Sequence, residues 1–293
     1  MKQSATRSLT LTLVAVALGI ALAWAGSQSG WTIIGVPAFA VAVGIAFLVQ
    51  WLAFIPAAIA RTDRFFDAVG SATYIAVTAT LLALAPALDL RQVALGAMVV
   101  IWALRLGTFL LVRNIRSGDD ERFTEIRRDP MRFFSVWTIQ GLWVSLTAAA
   151  AWIAISTAAS APVDWMLWLG AAVWALGLSI EVVADWQKSR FKKQSQHSGQ
   201  FIRSGLWSVV RHPNYLGEIL LWIGVFIAAA PSLLGWQWVA LLSPVFVVLL
   251  LTKVSGIPLL EAKAARKWGD DPEYQAYVAR TPRLIPFGGA RRG

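Results

Sequence analysis

Long apolar runs, broken by short polar stretches, dominate the chain. They fall at about 9–25, 31–58, 66–87, 92–112, 133–157, 163–186, 216–230 and 235–256, most of them near the roughly 20 residues a helix needs to cross a bilayer. They predict an all-α integral membrane protein, a bundle of seven or eight transmembrane helices. The first run follows Lys2 and Arg7 and ends A-W-A-G at Ala23 to Gly26. That order is shared by cleavable signal peptides and ordinary first membrane helices. The expected organisation is a first transmembrane helix or signal-like segment over 1–30, a transmembrane core over 31–260, and a cytoplasmic tail over 261–293 packing on the cytoplasmic mouth of the bundle. In the tail, Trp268, Tyr274, Tyr277 and Val278 suit a short helix with one apolar face.

Charge adds a direction to this pattern. Of the 26 Lys and Arg, 24 lie in alternate polar stretches: the N-terminal tail, 61–64, 113–132, 188–211 and from Lys253 onward. The opposite stretches hold only Arg91, and Arg105 lies inside a run. Short cytoplasmic loops carry such an excess, so the C-terminus is expected in the cytoplasm. The net charge of +10 therefore needs no nucleic acid; it faces an anionic leaflet, an anionic cofactor, or both.

Composition narrows the chemistry. The chain is 57% hydrophobic and only 14% charged, with no cysteine and two histidines, His197 and His212. Disulfides, thiolate nucleophiles and iron-sulfur clusters are excluded, and no metal centre is expected. Polar residues at membrane depth are costly and usually face a bundle interior or a ligand; here they are Gln50, Tyr74, Arg105, Gln140, Glu181, Asp185 and Glu218. Gln50 and Gln140 read as interhelical hydrogen-bonding groups or as donors to a ligand. Glu181 and Asp185, four apart, share a helix face, either as a helix-end ion-pair cluster or as part of a site.

The most concentrated chemistry lies in S-G-L-W-S-V-V-R-H-P-N-Y-L-G-E, Ser204 to Glu218. Pro213 favours a bend or a helix's first position, which places Arg211, His212, Asn214 and Tyr215 where a loop meets a membrane helix. Glu218 falls about one turn inside the helix. Donors, acceptors and both signs of charge within eight residues suit an anionic ligand carrying sugars and amides.

Three motifs in this order, D-W-Q-K-S-R-F-K-K (185–193), S-G-L-W-S-V-V-R-H-P-N-Y-L-G-E (204–218) and K-W-G-D-D-P-E-Y-Q-A-Y with L-I-P-F (267–287), resemble the C-terminal half of the steroid 5-alpha-reductase family. The likeness is greatest to its bacterial branch of unassigned function. It covers roughly 100–290, and the H-P-N-Y-L-G element is shared with the sterol delta-14 and delta-7 reductases. The resemblance implies a seven-helix core in a bacterial inner membrane, binding NADPH on its cytoplasmic side and reducing a carbon-carbon double bond of a steroid-like or other lipid enone. Matched position by position, it assigns cofactor contacts to Asp185, Lys192, Asn214, Tyr215 and Glu218, with Arg211 and His212 beside them. It adds Arg113, Asn114 and Arg116 and, further on, Lys253.

The chain departs from the family pattern at three places. Gln50 is followed by Trp51, where the steroid reductases carry an acid; the family's catalytic tyrosine aligns with Trp102; and a histidine expected after Lys253 is absent. The donors left for an enolate are Tyr74, Gln50 and Asp67, a phenol's pKa near 10 being matched to that of an enol. The expected partners are a lipid or steroid-like substrate and membrane lipids, with no nucleic acid and no obligate protein. The alternative is a lipid methyltransferase using S-adenosylmethionine, because the isoprenylcysteine carboxyl methyltransferases share an R-H-P-x-Y-x-G bend and a similar tail.

Overall fold

The computed structural model describes residues 2–117, 125–158, 161–194 and 199–286, and side chains within these ranges except at 2–4 and 113–117. Eight of its helical segments are long and apolar enough to cross a membrane. The protein is an all-α integral membrane bundle. Its helices are α1 (Lys2–Gly26), α2 (Ala38–Ala60), α3 (Phe66–Leu84), α4 (Leu90–Ser117), α5 (Pro130–Ser156), α6 (Trp165–Lys193), the single turn α7 (Leu206–Val209), α8 (Pro213–Ala229), α9 (Leu242–Leu249), α10 (Ile257–Trp268) and α11 (Pro272–Arg280). The chain divides into two compact units, Met1–Leu167 with Val225–Ser243, and Trp168–Gly224 with Pro244–Gly293.

In the first unit α5 is the central helix, packed against α1, α2, α3 and α4, and every residue from Ala148 to Ile155 is buried. Its start is set by Asp129, whose carboxylate accepts from the Met131 and Arg132 amides, both at 3.1 Å, with Pro130 at the first helical position. Small residues let the helices approach: a Cβ on Gly26 would collide with Phe39 and Ile153, and one on Gly19 with Phe47. The first helix is thus part of this core, with Ala15, Leu22 and Ala25 buried. Side-chain hydrogen bonds join the helices where no water competes: Trp152 Nε1 donates to Thr78 Oγ1 at 2.9 Å and Trp51 Nε1 to Thr138 Oγ1 at 3.1 Å.

Arg91, fully buried at the start of α4, donates to the carbonyls of Ala228 at 2.6 Å and Pro162 at 2.7 Å and to the Asp164 carboxylate at 3.0 Å. It is the basic residue that charge alternation left on the opposite side, and it is held as a structural ion pair.

Two expected boundaries move. The run beginning near 31 does not become helix until Ala38, because Thr32–Ile33 and Val36–Pro37 pair as a two-residue antiparallel ladder. Ile34 and Gly35 turn between them with φ of 50° and 79°, and an isolated bridge joins Gly30 to Thr157. The run beginning near 235 is not one regular α-helix either. Gly235–Leu241 is a 3₁₀ segment, α9 follows, and Leu250–Val254 forms a π-helical turn before Gly256. The tail carries two helices where one was expected, α10 and α11, separated by a turn at Gly269–Asp270.

In the second unit α6 and α8 touch backbone to backbone. A Cβ on Gly217 would lie 2.5 Å from the Gly177 carbonyl and 2.7 Å from the Glu181 amide, and one on Gly224 would lie 2.5 Å from the Trp174 amide. Only glycine permits this approach.

Candidate functional site

The polar stretch at 204–218 is folded onto the end of α6. Gly205 adopts φ of 61°, and a side chain there would collide with Gln187, whose Oε1 accepts from the Leu206 amide at 3.0 Å. Trp207 Nε1 donates to the Ala184 carbonyl at 3.1 Å, and the Lys188 ammonium lies 4.6 Å from the Trp207 ring centroid. These contacts end the turn at Val210 and deliver Arg211 and His212 to the start of α8, where Pro213 takes the first helical position as its fixed φ predicts.

The tail closes over this bend. The Arg211 amide donates to the Pro282 carbonyl at 2.8 Å and the His212 amide to that of Arg283 at 3.1 Å. Tyr277 Oη donates to the Trp207 carbonyl at 2.7 Å, and Phe201 packs among Trp268, Tyr274 and Tyr277. Burial pushes the Tyr277 phenol up to about 12, so it is a neutral structural donor.

Glu261 of α10 stands at the centre. Its Oε1 accepts from Arg211 at 3.0 Å and lies 3.4 Å from His212 Nε2, while Oε2 accepts from Arg283 at 2.9 Å. Arg211 is 13% exposed and Glu261 20%, so the pair is partly shielded from solvent. His212 stacks on Tyr215 with centroids 5.9 Å apart. Burial pushes the His212 imidazole below its ordinary value, against the pull of Glu261. Arg211 Nε and Asn214 Oδ1 are buried without a hydrogen-bond partner among the described residues, one donor and one acceptor left over in a charged site.

Beside this cluster the glycine contact at Gly217 holds α8 against α6 at Glu181. Glu181 and Asp185 are buried one turn apart, and Glu218 lies one turn beyond Asn214. Cations at one end and acceptors along the adjoining helix pair would suit the phosphates at one end of a ligand and the hydroxyls or amides at the other. Asn214 Oδ1 and Arg211 Nε, an acceptor and a donor without partners among the described residues, would fit a dinucleotide such as NADPH.

Of the expected cofactor residues, Arg211, His212, Asn214, Tyr215 and Glu218 are gathered at the start of α8, and Asp185 lies on the helix it packs against. Lys192 and Lys253 stand exposed on α6 and on the π-helical turn. The side chains of Arg113, Asn114 and Arg116 lie outside the described residues. Glu261 and Arg283 are additions to the set. Their signals are visible in retrospect: Glu261 is the first acid after the last apolar run, and Arg283 sits in the proline-broken T-P-R.

The expected catalytic residues belong to the first unit. Gln50, fully buried, donates from Nε2 to Thr73 Oγ1 at 2.8 Å, and its Oε1 has no partner among the described residues. Tyr74, next to Thr73, packs edge-on to Trp102 with centroids 5.1 Å apart. Gln50 thus meets α3 at Thr73, while the next residue, Tyr74, touches the residue that stands where the resemblance expects a tyrosine. Asp67 lies in the first turn of α3, two turns earlier. Gln140 is used structurally, donating to the Phe66 carbonyl at 3.0 Å. No cluster of metal-ligating residues occurs among the described residues.

Comparison with known proteins gives this arrangement a family. The chain is 29% identical over 123 residues to Steroid 5-alpha-reductase DET2 of Gossypium hirsutum, covering 42% of this chain and 43% of that protein. It is 26% identical over 127 residues to Steroid 5-alpha-reductase DET2 of Arabidopsis thaliana, covering 42% and 44%. With 3-oxo-5-alpha-steroid 4-dehydrogenase 1 of Bos taurus it is 28% identical over 79 residues, covering 26% and 30%. The matches thus span less than half the length of these relatives, and no solved structure matches. A family model described as "Protein of unknown function (DUF1295)" matches residues 53–281. The chain belongs to that family, a steroid 5-alpha-reductase-like one of unassigned function.

Proposed function

We propose that this protein is a membrane-embedded, NADPH-dependent oxidoreductase that reduces a carbon-carbon double bond of a lipid enone, steroid-like or other. One observation carries the reading. Arg211, Arg283 and the Glu261 they share meet at the start of α8, while Asn214 and Glu218 flank the Gly217 contact with Glu181 of α6, and Asp185 lies one turn further along α6. A basic cradle beside an acceptor-lined helix pair suits phosphates joined to ribose and carboxamide; a methyl donor without phosphates would leave the cations unused. Curated relatives named steroid 5-alpha-reductase support the same reading.

Asn214 Oδ1 would accept from the nicotinamide carboxamide or a ribose hydroxyl, and Asp185 and Glu218 from the remaining hydroxyls. Arg211 and Arg283 would hold phosphate oxygens by charge-assisted hydrogen bonds, and the resemblance adds Lys192, Lys253, Arg113, Asn114 and Arg116 as further cofactor contacts. When bound, NADPH supplies the hydride that saturates the β-carbon of the enone. The chain's own part in that step is a donor to the enolate oxygen. Tyr74 Oη is the strongest candidate for that donor, with Gln50 and Asp67 as the others. The alternating basic stretches support a cytoplasmic C-terminus, and on this reading the chemistry belongs to the cytoplasmic face of a bacterial inner membrane.

The test is direct binding to detergent-solubilised full-length protein. NADPH is expected to bind more tightly than NADH, and Asn214→Ala with Glu218→Ala to abolish binding in a folded bundle. Equal affinity for the two nucleotides, retention of binding in both variants, or tighter binding of S-adenosylmethionine overturns the assignment.

A further inference from the structure

Glu261 is a single carboxylate bridging two guanidiniums that arrive from different chain segments. Arg211 precedes α8 and Arg283 follows α11; the backbone bonds from Arg211 to Pro282 and from His212 to Arg283 bring the two segments together. Oε1 and Oε2 of Glu261 divide between them at 3.0 Å and 2.9 Å. Two cations against one anion leave the cluster net positive, and Arg211 still has a buried Nε–H without an acceptor among the described residues. A phosphoryl group has the same charge sign, more acceptor oxygens, and the bidentate fit to guanidinium that a carboxylate shares. Glu261 also sits on a helix that follows a π-helical turn and Gly256. Such turns recur at functional sites.

We propose that Arg211 and Arg283 form a phosphate subsite which Glu261 fills in the free protein, and that an incoming phosphoryl group takes both guanidiniums from it. The inference deepens the nucleotide reading above and rests on it for the identity of the ligand. Glu261 then acts as a competing internal anion, so removing its charge tightens binding. A merely structural counter-ion would have the opposite effect, since its loss would loosen Arg211 and Arg283 and weaken every ligand they touch.

The experiment uses the full chain in detergent and three probes: inorganic pyrophosphate, NADPH and short-chain phosphatidic acid. Glu261→Gln is expected to raise affinity for pyrophosphate and NADPH by about tenfold, as displacing a charge-assisted hydrogen bond of that order predicts, and to steepen its salt dependence. Unchanged or weaker binding of all three probes overturns the subsite. Should Glu261→Gln fail to fold, Arg283→Gln decides, because Arg283 is 66% exposed. A fall of about tenfold in pyrophosphate affinity supports the subsite, and no change removes it. A gain for pyrophosphate in Glu261→Gln, with NADPH bound by neither form, keeps the subsite and defeats the cofactor reading. A gain for phosphatidic acid alone, with NADPH bound by neither form, keeps the subsite, makes its ligand a lipid headgroup, and likewise defeats the cofactor reading. NADPH bound equally by both forms, with no gain for pyrophosphate or phosphatidic acid, keeps the cofactor reading and defeats the subsite.

Discussion

Gly217 of α8 lies against the backbone of Glu181 on α6, so close that a Cβ would come within 2.7 Å of the Glu181 amide. The contact joins packing to chemistry, because the next residue along α8 is Glu218 and Asp185 lies one turn beyond Glu181. Gly217→Ala must push the helices apart. The expected loss is about 1–3 kcal/mol, the usual cost of overpacking, together with weakened NADPH binding. Thermal unfolding in detergent and nucleotide titration on the same preparation check both; unchanged binding in a destabilised protein would separate the contact from the site.

Asp164 anchors the buried Arg91. The Arg91 hydrogen bond, against the effect of burial, holds the Asp164 carboxyl below its ordinary value. A carboxylate with a depressed folded pKa contributes stability above its unfolded value, near 3.9, and loses it as the pH falls through the folded value. Acid unfolding of the wild type should therefore include a component below about pH 4 that Asp164→Asn lacks, and the variant should be less stable at neutral pH. Identical acid profiles would place the anchor of Arg91 in the Ala228 and Pro162 carbonyls instead.

His212 gives a second pH dependence of the same sign. Its imidazole is held below the ordinary value by burial, so in the window beneath about pH 6.5 the unfolded chain binds a proton that the folded protein resists. Ligand-free stability should fall as the pH drops from about 6.5 toward the folded pKa and level off below it. His212→Phe should flatten that slope. Melting temperature against pH, measured without nucleotide, reads the effect; a slope unchanged in the variant assigns it to another group.

Gln50 tests the donor role. Its hydrogen bond to Thr73 lies between membrane helices, where such bonds contribute about 0.6–2 kcal/mol, so Gln50→Leu should leave a folded bundle. If Gln50 helps hold an enolate oxygen, turnover of a lipid enone should drop by about 100-fold, the scale for losing one such donor, with NADPH affinity unchanged. Turnover close to wild type would make Gln50 purely an interhelical contact, the role that Gln140 has toward Phe66.

Much of this protein is written locally. Apolar runs of about 20 residues require helices because backbone groups in lipid can be satisfied no other way, and Pro213 sets where α8 begins whatever surrounds it. The clustering of Arg211, His212, Asn214, Tyr215 and Glu218 follows from the same local rule, since they are neighbours in sequence. Local pattern misjudged 31–37, where an apolar Ile34 and Gly35 turn a small hairpin, and it could not foresee a π-helical turn at Leu250–Val254.

Partners distant in sequence are a different matter. No spacing announces that Glu261 and Arg283 meet Arg211, that Arg91 reaches Asp164 and Ala228, or that Gln50 bonds to Thr73 beside a Tyr74 resting on Trp102. Those pairings depend on which helix faces meet and how closely. Glycines such as Gly19 and Gly26 in the first unit and Gly177 and Gly217 in the second set that closeness, and their missing side chains matter only once two helices are side by side. Local pattern is enough for the class, the approximate spans and the inventory of chemical groups. Only side-by-side packing settles which of those groups neutralise one another and which, like Asn214 Oδ1 and Arg211 Nε, find no partner among the described residues.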